Sequence, residues 1–117
     1  MAYADELKSR TQDFALRVIR LTGALPRTDA ARVVGRQMLR SGTSVGANYR
    51  AACRARSKPD FVSKMGIVLE EADETAYWLE LLVHAQLLPA TRVRDLLEEA
   101  NELVAIFVAS IRTAKSG

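Results

Sequence analysis

Apolar residues set alternately four and three apart run along almost the whole chain, and this spacing constrains the fold more than any other feature. Leu7, Thr11, Phe14, Val18, Leu21 and Leu25 keep it first. Val34, Met38, Ser41, Val45, Asn48, Ala52 and Ala55 keep it next, followed by Phe61, Met65, Val68, Ala72, Thr75, Leu79 and Leu82. Val93, Leu97, Ala100, Val104, Phe107 and Ile111 form the last series. On an α-helix such positions fall on one stripe, which is buried when helices pack side by side. Gly23 and Pro26, then Pro59, then Pro89 interrupt the series. Proline is tolerated only in the first helical turn, and glycine favours helix ends.

The predicted helices run from about Asp5 to Thr22, from Thr28 or Asp29 to about Arg56, from the Ser57-Lys58-Pro59-Asp60 start to about Ala85, and from about Thr91 to Thr113. Ser57 can cap the third, with Asp60 three residues on as in a capping box. The last five residues are expected to fray. With 117 residues and connections this short, the expectation is one all-α domain spanning 1–117. Its architecture is an antiparallel up-down-up-down four-helix bundle.

The seam of the second helix is small and partly polar. Small side chains let helix axes approach closely. Ser41 and Asn48 then form a structural polar core that needs partners, because an unpaired buried polar group costs about 1–3 kcal/mol. Asn48 is expected to set helix register. On the opposite side, Arg32, Arg36, Arg40, Arg50 and Arg54 fall within about 80° of one another at about 100° per residue. They are candidates for nucleic-acid phosphate contacts, for a subunit interface, or for a solvated face.

The third helix gathers Ile67, Glu70, Glu74, Tyr77, Trp78 and Leu81 opposite its seam. A face that meets only water rarely collects such apolar groups. This face is the candidate subunit interface. Glu70 and Glu74 would there meet the arginines of another copy, whose planar guanidinium suits a carboxylate.

Charge is segregated. Residues 27–64 hold nine Lys/Arg against Asp29 and Asp60, and residues 65–102 hold nine Asp/Glu against Arg92 and Arg94. Opposed blocks of this kind attract each other within or between chains. Cys53 is the single cysteine and His84 the single histidine, so neither a disulfide nor a zinc site of several cysteines is available within one chain. A di-iron site of the bundle type needs Glu-x-x-His pairs, whereas Leu81 stands three residues before His84. Gly42 and Gly46 are not followed by the Gly-Lys-Ser/Thr of a phosphate loop. No metal, no other cofactor and no catalytic group is expected. The polar start and the lack of a long apolar run lead to the expectation of a cytoplasmic protein without a membrane span.

Three motifs lie in the middle of the chain. They are Arg40-Ser41-x-x-Ser44-Val45-x-Ala47-Asn48, then Arg54-x-x-Ser57-x-x-Asp60-Phe61-x-x-Lys64, then Glu70-Glu71-x-x-Glu74-x-x-Tyr77-Trp78. Together with Leu25-Pro26 they make the chain resemble the four-helix-bundle proteins encoded in 23S rRNA intervening sequences. The resemblance implies a homopentamer of antiparallel bundles and no known enzymatic activity. A more distant likeness is to the accessory variability determinant of diversity-generating retroelements, a basic pentameric barrel that binds nucleic acid and a reverse transcriptase.

Two functions follow as expectations. One is a non-catalytic oligomeric scaffold that binds RNA, DNA or ribonucleoprotein through the arginine face. The other is a structural protein–protein interaction module, its arginines consumed by Glu70 and Glu74 of a neighbouring subunit.

Overall fold

In the computed structural model, which describes residues 2–117 with side chains from Tyr3 onward, each predicted stripe becomes one long helix. These are α1 (Ala2–Gly23), α2 (Asp29–Cys53), α3 (Lys58–His84) and α4 (Ala90–Ser116). They run antiparallel in turn and form a rod of 46 × 21 × 19 Å. A helix of 27 residues is about 40 Å long, so α3 and α4 span nearly the full length. Each helix packs on its sequence neighbour along the bundle, while α1 and α4 close the ring over a shorter stretch. There Arg10 of α1 grips Glu99 of α4 through two bonds of 2.7 and 2.8 Å and reaches Glu102 at 2.7 Å.

The stripe residues form the core. Phe14, Val18, Met38, Val45, Met65, Val68, Leu79, Leu82, Val93, Leu103 and Phe107 are fully buried. Tyr49, outside the predicted seam, is buried as well, and its ring stacks on Phe107 across the bundle at 6.1 Å. The α1–α2 seam is tight because α2 presents glycine there. A Cβ at Gly42 would lie 2.8 Å from both Val18 methyls, and one at Gly35 would lie 2.7 Å from the Leu25 side chain.

Three boundaries differ from expectation, the first being α1, which starts at Ala2 and not near Asp5. α2 ends at Cys53 and not near Arg56, because Ser57 must be extended (φ −157°, ψ 166°) for its side chain to accept from the Asp60 N–H. A continuous helix would remove that cap. Asp60 reaches back as in a capping box, but to the Arg56 N–H at 3.2 Å, one residue beyond the usual target. α4 stays helical through Ser116, past the expected Thr113. α3 ends at His84, within one residue of the expected Ala85. Gln86 adopts φ 59°, its N–H bonds to the Val83 carbonyl, and the Leu87 N–H bonds to the Leu82 carbonyl at 2.9 Å. This is a Schellman closure, normally built with glycine at the left-handed position.

Candidate nucleic-acid interface

The outer side of α2 is set by the burial of its other sides. Gly35, Gly42 and Gly46 face α1, while Met38 and Val45 fill the core. At about 100° per residue this leaves Arg32, Arg36, Arg40, Arg50 and Arg54 outward, and all five are exposed. Their electrostatic states differ. Arg32 pairs with Asp29 one turn back at 2.9 Å, on a fully wet surface. Arg36, Arg50 and Arg54 have no carboxylate partner among the described residues. Arg40 alone is neutralised by another helix.

Arg40 reaches across to α3, where its Nη1 lies 3.2 Å from Glu71 and its Nη2 donates to Glu74. The Trp78 indole N–H donates to the same Glu74 carboxylate at 2.9 Å. Trp78 first, and then Arg40, hold the Glu74 carboxyl below its ordinary range. The hydrogen bond from Arg40 to Glu74 in turn raises the guanidinium value. Just inside this cluster, the Thr75 hydroxyl lies 2.8 Å from the Ser41 hydroxyl, which closes on the Met38 carbonyl at 3.3 Å. Both residues are fully buried.

The pairing therefore departs from expectation in two ways. Glu74 is satisfied by an arginine of its own chain, where a neighbouring subunit's arginine was expected. Glu71, not Glu70, is the second partner. The two residues differ by about 100° around α3, which turns Glu71 toward α2 and leaves Glu70 exposed. Asn48 departs too. It is half-buried, and its Nδ2 donates to the Ser44 carbonyl of its own helix at 2.8 Å, so it forms no bridge between helices. A straight helix drifts about 20° per heptad from a strict seam. Ser41 sits on the seam, and Asn48, seven residues later, has begun to leave it.

The six residues of the candidate subunit face divide evenly. Ile67, Glu70 and Tyr77 are exposed, Ile67 at 45% and Tyr77 at 54%. Glu74, Trp78 and Leu81 are half-buried. Trp78 meets the edge of Tyr77 with ring centres 5.0 Å apart, and Trp78 and Leu81 both lean on the core. Sequence reasoning missed Glu71, Thr75 as the partner of Ser41, and Tyr49. A signal existed for Tyr49: it lies seven residues after Gly42, on the flank of the seam that α2 turns inward.

Among the described residues no three or more His, Cys, Asp or Glu side chains gather as a metal site. His84 is the exposed last residue of α3, and Cys53 is a free, half-buried thiol. Among the described residues no helix is long and apolar enough to cross a membrane.

Comparison with known proteins places this geometry. The sequence matches the family of the 23S rRNA-intervening sequence protein over residues 6–109. No curated protein matches it. A solved structure of a protein with unknown function, from the S23 ribosomal protein family of Bacteroides thetaiotaomicron VPI-5482, superposes with a TM-score of 0.83 and 36% identity. That match covers 89% of this chain and 96% of the other. With the matching residues spanning all four helices, the chain belongs to the 23S rRNA-intervening sequence protein family.

Proposed function

We propose that this protein is a non-catalytic, oligomeric scaffold that holds nucleic acid or ribonucleoprotein on the outer side of α2. One observation carries the reading: Arg36 and Arg50 on the outer side of α2, and Arg54 just past its end, are exposed and have no carboxylate partner among the described residues. Arginines in that state attract phosphate, and their contacts position a strand without reading its sequence. Arg40 is excluded from the set, because Glu71 and Glu74 already hold it.

The test is the affinity for a labelled single-stranded RNA between about 50 and about 200 mM salt. Binding should weaken steeply with salt. Replacing Arg36, Arg50 and Arg54 together with glutamine should reduce the log–log salt slope by about 2. No binding at low salt, or an unchanged slope, ends the proposal.

A second reading, a structural module for protein–protein contact, is favoured by Ile67 and Tyr77. These large apolar groups stand in water on one face of α3. They would be covered by copies of this chain, as in the pentamer that the resemblance implies. Charge segregation supports this, since residues 1–56 hold eleven Lys/Arg and four Asp/Glu and residues 57–117 hold six and ten. A basic half against an acidic half is a head-to-tail contact, which closes into a ring or extends as a filament. Ile67→Glu and Tyr77→Glu should shift sedimentation toward the monomer. Charge reversal at Glu74 is a poorer probe, because it breaks a bond within the subunit.

A further inference from the structure

All four helices meet around a pocket of about 320 Å³ at the end of the bundle where α2 gives way to α3. Tyr3, Tyr49, Cys53, Ser57, Phe61 and Ser110 line it. Three of the nine lining residues are aromatic and three are alanine, so the walls are largely apolar with a few hydroxyls set among them. Tyr49 is 4% exposed, and its ring is pinned by the stack on Phe107. Its hydroxyl bonds with the Cys53 thiol, and both residues line the pocket. Burial pushes the Tyr49 phenol up from its ordinary value, which keeps it a neutral donor.

The rim is cationic. Arg54, Arg56 and Lys58 alternate with the pocket residues Ala55 and Ser57, and all three are exposed. The acids nearby are Asp60, already engaged by Lys64 at 2.7 Å and by the Arg56 N–H, and the exposed Asp5 and Glu6 of α1. Arg54 is also the last member of the arginine face, with Arg50 one turn before it.

We propose that this pocket receives one nucleobase of a single strand whose phosphates follow the arginine face. The inference rests on the nucleic-acid reading above and specifies its ligand. A base is a planar heteroaromatic that stacks on aromatic side chains and offers edge atoms to hydroxyls. An alkyl chain would fill the space and offer no polar edge to the Ser57 and Ser110 side chains that line it. The base of an intact duplex stays within its stack and does not reach such a pocket.

Cys53 reports occupancy directly. Millimolar uridine or adenosine monophosphate should slow its alkylation by iodoacetamide severalfold, and glucose 6-phosphate should not. In the strand assay, Tyr3→Ala should weaken binding of a single strand by about fivefold or more, the loss of one stacking contact. Duplex binding should not change. Phe61→Leu, with helicity checked by circular dichroism, should act in the same direction.

Unslowed alkylation with both nucleotides overturns the pocket. So does an equal loss of single-strand and duplex binding in the Tyr3 variant, or no loss in either. If nucleotides protect Cys53 while the arginine replacements leave strand binding unchanged, the pocket stands and the arginine face is the part that fails. If the arginines matter and Cys53 is unprotected, the reverse holds.

Discussion

The two flanks of α2 solve the same packing problem by opposite means. Toward α1 the helix removes side chains: a Cβ at Gly42 would lie 2.8 Å from both Val18 methyls, and one at Gly46 would lie 3.2 Å from the Thr11 hydroxyl. Toward α3 it keeps polar side chains and satisfies them, with Ser41 against Thr75 inside and Arg40 against Glu71 and Glu74 outside. The first flank depends on shape and tolerates no added atom. The second depends on complete hydrogen bonding and tolerates no lost partner. The outward side between them is left with arginines that neither neighbouring helix needs.

Adding volume at the glycine flank should have the largest effect. Gly42→Leu forces the side chain into Val18, which is fully buried and has nowhere to move. Overpacking of this kind costs about 1–3 kcal/mol or more. The gain in helix propensity, about 0.8 kcal/mol, offsets only part of it. A urea midpoint equal to that of the parent would show that the α1–α2 seam is looser than drawn.

On the polar flank, Thr75→Val keeps the shape and deletes the hydroxyl, so Ser41 loses its partner on α3. The expected cost is about 1–2 kcal/mol. Adding Ser41→Ala should cost less than the sum of the two single changes, because the bond between the two hydroxyls is already lost in either single variant. Strict additivity would show that the two hydroxyls do not depend on each other.

Gly66 offers the opposite control on α3. A Cβ there meets nothing within 4 Å, so Gly66→Ala should stabilise the protein by about 0.8–1 kcal/mol. A loss of stability, seen only at concentrations where the protein is oligomeric, would place another surface against this site.

The smallest expected effect is on pH dependence. The Glu74 carboxyl is held below its ordinary value in the folded chain. Its contribution is therefore full above the unfolded value of about 4.3 and is lost as pH falls through the lower folded value. Glu74→Gln should lower the neutral region of the stability curve slightly and meet the parent curve at low pH, which flattens the acid limb. Trp78 fluorescence reads this locally, since its N–H bonds the same carboxylate. An acid limb identical to the parent's would remove Glu74 from the account.

Helix number, antiparallel order and most of the core were legible because one spacing of apolar residues repeats four times, and that is a local property of the chain. The outward placement of the five arginines was legible for the same reason: knowing one face of a helix gives the opposite one. Pairing was not. Whether Arg40 meets Glu74 of its own chain or of another depends on the axial offset of α2 against α3, which no spacing within either helix encodes. The choice of Glu71 over Glu70 turns on about 100° of rotation toward a particular neighbour, and the loss of Asn48 from the seam on a slow angular drift. The end pocket needed all four helices in place, because its six principal residues come from every helix and from the α2–α3 connection. Stripes and faces arise within one helix. Partners and pockets arise from how far each helix slides and turns against the next, and only packing in three dimensions sets those two quantities.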